Sequence, residues 1–356
     1  MTSTSRLGRG ATIYDVAARA GVSVATVSRV VRGTAPVAGS TQARVLDAMS
    51  ALRFVPNRLG VSLAEGRHAA NGIVFPDLVG PYFAEVLIGY EAAAGELDRS
   101  VIVMSTDGRP APRDRVLALA ARVDGLVVLG RTVDDGVVAE VMARGVPVVT
   151  LARTAVSSGP EQAAGVQVSD SVVADNHGRA AELAEHLLAH GVRDVVLLGD
   201  PEASMDVAER WTTLTTALAG RATVRPVPAH GFDVAAGVRG LAALLDGGPR
   251  DADPADQRLP DIIVAHNDEV ALGVLQRARQ RGLHVPRDLA VTGWDDVMAA
   301  EWAGLTTVRQ PMRLLGDRAA RLLDARIRGD EAPPQHEVLP TRIVQRRTCG
   351  HHEEDR

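Results

Sequence analysis

From Asn71 onward, short unbroken apolar runs alternate with longer amphipathic stretches, and this alternation constrains the fold more than any other feature of the chain. The runs occupy residues 72–75, 101–104, 125–129, 147–151, 195–198, 261–265 and 289–292. Apolarity without polar alternation predicts strands covered on both faces, as in the parallel sheets of α/β proteins. The stretches between them, such as 180–188 and 269–279, repeat their apolar residues at helical spacing. Two doubly wound parallel-sheet lobes over residues 70–348 are therefore predicted. In such sheets, ligands bind beyond the carboxyl ends of the strands.

The residues just beyond those strand ends are of telling types. The chain holds only four Phe, three Tyr and three Trp, yet Phe75, Tyr82 and Phe83 gather after the first run. Arg153 follows the run ending at Leu151, Asn267-Asp268 follow Ala265, and Trp294 precedes Asp295-Asp296. Aromatic faces with Arg, Asn and Asp suit a polyhydroxylated small molecule. Each residue also has a plainer role open to it: Asn267 or Asp295 as a helix cap, Arg153 in a surface ion pair. Residues 247–259, rich in Pro, Asp and Gly, read as a surface loop without EF-hand spacing.

Charge divides the chain differently. Residues 1–67 hold nine Arg against three acids, a net of +6, whereas the whole chain carries −5. A basic head on an acidic body points to a nucleic-acid partner for one end. Within the head (residues 1–56), Ile13, Val16, Ala17 and Ala20 form one helical stripe, with Thr12 as its cap and Asp15 three residues on. Gly21 ends that helix and Ser23 opens the next. In the second helix Val27, Val30 and Val31 face inward. Val24, Ala25, Ser28, Arg29 and Arg32 form the outer face, where small residues admit close approach and Arg can meet phosphate or guanine. A third helix puts Val45, Met49 and Leu52 inward and Arg44 and Arg53 outward. Helix, Gly-containing turn and helix make a helix-turn-helix arrangement; a three-helix bundle with a solvated Arg face has the same spacing.

Several function classes are excluded. All 39 basic residues are Arg, so a phosphate-loop Lys, a Schiff-base Lys and a tuned Lys base are absent. One cysteine, Cys349, rules out disulfide frameworks and Cys-based zinc modules. No nucleophile elbow or Gly-x-Gly-x-x-Gly occurs, and Asp295-Asp296 are adjacent rather than opposed, so neither catalysis nor a cofactor is expected. No run approaches the roughly 18 apolar residues of a membrane span and no apolar leader is visible, which predicts a cytoplasmic protein. Cys349 with His351-His352 reads as part of a charged tail (349–356), not a metal site. The tail lacks a Leu heptad, which favours a dimer over a tetramer.

The segment Thr12-Ile-Tyr-Asp-Val-Ala-Ala-Arg-Ala-Gly-Val-Ser-Val-Ala-Thr-Val-Ser-Arg-Val-Val31 closely resembles the head of the lactose/galactose repressor (LacI) family of bacterial transcription regulators. The resemblance continues through Phe75-Pro-Asp-Leu-Val-Gly-Pro-Tyr-Phe83, His266-Asn-Asp-Glu-Val-Ala-Leu-Gly273, Val291-Thr-Gly-Trp-Asp-Asp296 and Leu305-Thr-Thr-Val-Arg-Gln-Pro311. It implies base reading by Val24, Ala25 and Arg29 and phosphate contacts from Tyr14, Ser23, Thr26 and Ser28. It also implies a hinge helix within residues 57–69, capped by Asn57, with Leu63 wedged into the minor groove. Gly60 stands in that hinge where the family commonly has Ala, at a helical cost of about 1 kcal/mol. A two-lobed effector domain with three crossovers is implied next, in which Arg210, Asn267, Asp295 and Gln310 would contact the effector and Phe232 would wall it. Ala152-Arg153, Gly80, Thr213 and Gly191-Val192 depart from the family pattern. Ala152 leaves Arg153 without a neighbouring carboxylate, so a neutral sugar and an anionic sugar derivative both stay open. The implied function is a homodimeric repressor of a pseudo-palindromic operator; a sugar-binding protein without a DNA role is the alternative.

Overall fold

The structure, a computed structural model, describes residues 11–32, 35–54, 68–153, 169–202, 204–246 and 259–350. Asn57, Gly60, Leu63 and the side chain of Arg32 lie outside the described residues, as do most of the Pro- and Asp-rich loop and the tail after Gly350. The chain divides into two compact units, residues 1–68 and 69–356.

The first unit holds α1 (Ile13–Ala20), α2 (Val24–Arg32) and α3 (Gly39–Ala51). A reciprocal cap starts α1: Thr12 N donates to Asp15 Oδ2 at 2.8 Å, and Asp15 N donates to Thr12 Oγ1 at 3.4 Å. Gly21, left-handed at φ 64°, turns the chain toward α2. There Ser23 Oγ accepts from Thr26 N at 3.2 Å and opens the second helix. Val16, Val27 and Val45 are fully buried where the three helices meet, each contributing roughly 1.5–3 kcal/mol. Arg53 lies beyond the end of α3 with a positive φ of 48°.

The second unit is two parallel-sheet lobes. In the first, β1 (Ala70–Phe75), β2 (Ser100–Ser105), β3 (Gly125–Leu129), β4 (Val148–Leu151), β5 (Asp170–Ala174) and β11 (His336–Leu339) lie in the order β11-β5-β4-β3-β1-β2. All neighbours are parallel. Strand side chains alternate between faces. Ile73, Phe75 and Val127 pack on α4 (Pro81–Glu96) and α12 (Met312–Ile327), while Val74, Leu126 and Val128 pack on α5 (Pro112–Ala120) and α6 (Asp135–Ala143).

The second lobe orders β6 (Asp194–Gly199), β7 (Thr223–Pro228), β8 (Ile262–Ala265) and β9 (Ala290–Thr292) as β7-β6-β8-β9, again parallel. One face takes α7 (Asn176–Ala189) and α8 (Met205–Leu218), the other α9 (Val234–Asp246) and α10 (Asp268–Gln280). The short α11 (Met298–Ala303) and the antiparallel pair β10 (Thr307–Arg309) and β12 (Arg342–Val344) complete it. The chain passes between lobes three times, from β5 to α7, from β10 to α12 and from β11 to β12.

All seven sequence-predicted strands form; β5, β7, β10, β11 and β12 had no clear apolar signature. Asp170 breaks the run of β5 yet is buried, because Arg326 pairs it bidentately at 2.7 and 2.9 Å. Strand β7 carries two prolines, which a sheet tolerates at an edge. Helices α4 and α12 pack closely enough that a Cβ on Gly316 would sit 2.1 Å from the Val86 carbonyl oxygen. Gly316→Ala is expected to lower stability by about 1–3 kcal/mol through overpacking, read as a reduced urea midpoint of the full chain.

Candidate functional sites: an outward helix face and an interlobe cleft

In the first unit, α2 leaves Ala25 and Arg29 exposed and keeps Ser28 half-buried. Val24 is partly covered by the head's own apolar core, so it presents less outward surface than its helical position predicts. Ser23 Oγ and Thr26 Oγ1 lie 2.9 Å apart at the start of α2. Tyr14 is 71% exposed, a large aromatic side chain left facing solvent. A small residue beside a projecting Arg, flanked by hydroxyls and an exposed phenol, can enter a groove and hold phosphates.

In the second unit a cleft opens where the strand ends of the two lobes face each other. Tyr82, Phe83 and Ala152 line it from the first lobe; Arg210, Phe232, His266, Asn267 and Asp295 line it from the second; Gln310 lines it from a crossover. Arg210 is its structural centre. Its Nε donates to Asn176 Oδ1 at 2.8 Å, its Nη1 donates to the His266 carbonyl at 3.1 Å, and Asp206 pairs with it at 3.7 Å. The guanidinium carbon lies 4.3 Å over the Trp294 ring. Asn176 Nδ2 in turn donates to Asp206 Oδ1 at 3.0 Å and Glu209 Oε2 at 3.1 Å.

Around this centre stand polar atoms with no protein partner among the described residues: Tyr82 Oη, His266 Nε2, both Glu269 carboxyl oxygens and Gln310 Oε1. Burial lowers the His266 pKa to about 3, with Arg210 adding to it, so the imidazole is neutral. Its Nδ1 accepts from Asp200 N at 3.3 Å, which leaves Nε2 as the donor. Burial also raises Tyr82, helped by Asp206 and Asp295, so the phenol keeps its proton. Burial, then the neighbouring Asp268, holds Asp295 well above the usual carboxylate range. Phe232 stacks on His266 with centroids 4.5 Å apart and is 36% exposed.

Three residues predicted to contact a ligand are placed elsewhere. Phe75 is fully buried among the first lobe's core residues, edge-on to Phe83 at 5.8 Å. Trp294, 1% exposed, lies beneath Arg210 rather than in the cleft. Arg153 turns into the protein, donates to the Gly130 and Val133 carbonyls at 3.0 Å each, and pairs with Asp135. That pairing corrects the expectation of an uncompensated Arg153. Asn267 fills both of its suggested roles: it caps α10 through Val270 N at 3.0 Å and lines the cleft. Asp295 caps no helix; Asp268 Oδ2 instead accepts from Val297 N at 2.9 Å ahead of α11. Sequence reading missed Asp206, Asn176, His266 and Glu269. Asp206 is one helical turn before Arg210, and the others directly follow strand or crossover ends.

A head that presents a groove-reading helix, joined to a two-lobed domain with a polar cleft, defines a DNA-binding regulator governed by a small molecule. Residues 12–57 match the model for bacterial regulatory proteins of the lacI family, and residues 184–349 match the periplasmic binding protein-like domain. The transcriptional regulator CelR of Thermobifida fusca is 31% identical over 352 residues, covering 95% of this chain and 98% of the relative. Catabolite control protein A of Priestia megaterium is 30% identical over 344 residues, covering 93% and 97%. The Lac repressor dimer bound to operator and the anti-inducer ONPF superposes with a TM-score of 0.82 at 26% identity, covering 96% of this chain and all of that one. A CelR–cellobiose complex gives 0.66 at 29%, covering 95% and 99%. The chain belongs to the lacI family of bacterial transcriptional regulators. No helix among the described residues is long and apolar enough to cross a membrane.

Burial raises Asp268 to about 8, while Thr307 Oγ1 and Val297 N donate to it at 2.6 and 2.9 Å. Its unfolded value is about 3.9. The folded state thus retains a proton that the unfolded chain gives up, and stability falls as pH rises from about 4 to about 8. Asp268→Asn is expected to flatten that fall, measured as urea midpoints of both chains across the window; parallel profiles would exclude the buried acid as its source.

Proposed function

We propose that the chain represses transcription as a cytoplasmic homodimer on a pseudo-palindromic operator, and that a neutral sugar bound between the lobes controls its DNA affinity. One observation carries the choice of ligand: the cleft holds unpartnered hydrogen-bonding atoms of both kinds beside an open aromatic face. Tyr82 and His266 supply donors, and Glu269 and Gln310 supply acceptors. A polyol, whose hydroxyls both donate and accept, meets them all. The ring face of Phe232 suits the apolar side of a pyranose.

Charge disfavours the anionic alternative. Arg210 is already met by Asp206, Asn176 and a carbonyl. Arg131, which also borders the cleft, donates to the Glu202 carbonyl at 3.1 Å. Neither guanidinium is therefore left open to pair with an acid or a phosphate. The cellobiose in the CelR complex, in a relative of similar length, supports a carbohydrate. The operator in the Lac repressor complex supports the DNA role.

Control is a consequence of geometry. Ligand groups come from both lobes and a crossover, so a bridging sugar favours one lobe arrangement by its differential affinity. In a twofold dimer, that change alters how two heads meet two half-sites. The relatives are transcriptional regulators, which favours a regulatory over a catalytic role. Asp296 is committed to Arg309 and Arg346, leaving no opposed pair of free carboxylates with Asp295.

A thermal-shift panel on the full chain tests this: neutral sugars should include stabilising ligands, and a response confined to sugar phosphates or acids would overturn it. Tyr82→Phe removes a hydroxyl with no protein partner among the described residues, so folding is expected to persist while sugar affinity falls about tenfold, read by calorimetric titration. Arg29→Ala is expected to lose about 1–3 kcal/mol of discrimination between operator and scrambled duplex, measured by fluorescence anisotropy, with the sugar response retained.

A further inference from the structure

Far from the cleft's ligand groups, His186 in the last turn of α7 and His190 at its C-cap stand four residues apart, so both imidazoles lie on one side. The last described stretch of the chain returns beside them. His186 Nε2 lies 3.3 Å from Cys349 Sγ. The two imidazoles stand edge to face with centroids 4.7 Å apart, and one donor atom from each of the three residues falls within 4.8 Å of the others. We propose that His186, His190 and Cys349 form a binding site for a zinc-type divalent cation.

One thiolate and two imidazoles are donors that zinc takes in tetrahedral sites, at about 2.3 Å for sulfur and about 2.0–2.1 Å for nitrogen. Those bond lengths put neighbouring donors roughly 3.5 Å apart, close to the observed His186–Cys349 separation. Small side-chain rotations close the wider edges. A Cβ on Gly350 would meet His190 Nδ1 at 2.5 Å, so glycine at this position is what lets the ring stand against the chain beside Cys349. The Gln345 amide lies 3.4 Å from His186 Nδ1. With its oxygen turned to that nitrogen, it accepts Nδ1–H and leaves Nε2 to the metal, a common outer-shell arrangement. His190 and Cys349 also line an open hollow, which gives an ion a path to them from solvent.

On binding, the Cys349 thiol releases its proton to solvent and its sulfur bonds the metal; no electron is transferred. A fourth position is left for water. The metal would clamp α7, whose first residue holds Arg210, to the segment after β12.

Cobalt(II) added to the full chain is the probe. The expected result is a thiolate-to-cobalt charge-transfer band that saturates at one equivalent and is displaced by zinc. Cys349→Ser should abolish the band, and His186→Gln, at a half-buried position where folding is retained, should weaken binding at least about tenfold. Zinc should raise the melting temperature of the parent chain and not of Cys349→Ser. Replacing His351 and His352 together should leave the band in place. A thiol that only hydrogen-bonds, to Thr306 Oγ1 at 3.1 Å, gives no band. That outcome, or a band that survives Cys349→Ser or depends on His351 and His352 alone, overturns the site.

Discussion

A single buried guanidinium, that of Arg210, joins four parts of the second unit at the cleft. It holds the first residue of α7, the first turn of α8, the carbonyl at the end of β8 and the indole just after β9. Removing such a cation from water costs several kcal/mol, and the cost is offset only where its donors and charge are met. Here they are met by groups that arrive from widely separated positions, so the local fold and the cation specify each other. Asp206 shows the same dependence in reverse: burial raises its pKa, and Arg210 is the main influence restraining the rise. The floor of the site is rigid because loosening one member would leave another buried and unmatched.

That rigidity shapes what is left for a ligand. Arg210 directs its hydrogen bonds inward, and the atoms still unpartnered belong to neutral groups or to carboxyl groups drawn toward their neutral forms. Both lobes contribute to the lining: Tyr82 and Phe83 from the start of α4 on one side, and Phe232, His266, Asn267 and Asp295 on the other. A molecule satisfying only one side gains nothing from closure, whereas one that bridges them does. In the proposed reading, the coupling of ligand to lobe arrangement resides in contacts supplied from both sides of the cleft, not in any one of them.

How far the sequence reveals this depends on the range of the interaction. Continuous apolar runs locate the central strands because burial on both faces leaves a local mark. Strand β5 hides because Asp170 is neutralised by Arg326, far along the chain. Arg153 was misread for the same reason: its proximity to Ala152 is visible in the sequence, and its partner Asp135 across the loop is not. Phe75 is different, since the information was present. Ile73 and Phe75 share a face by the period of two, and Ile73 belongs to the core. Position after a strand, for Asn267 and Asp295, and the family resemblance, for Gln310, pointed to residues that line the cleft. Strand parity was needed to decide which side chains in that neighbourhood face the cleft.

The two units also respond to different physics. The head concentrates a net charge of +6 in its first 67 residues, so its affinity for duplex depends on counterion release and weakens steeply with salt. The cleft's Arg210 is met internally, and hydrogen bonds to the neutral ligand proposed above would displace no counterions. On that reading electrolyte acts on DNA affinity and leaves ligand affinity nearly constant. The acidic remainder of the chain sharpens this separation, because repulsion from phosphate confines productive DNA contact to the basic end. A regulator built this way can read a metabolite without its reading being distorted by the ionic conditions that govern its hold on DNA.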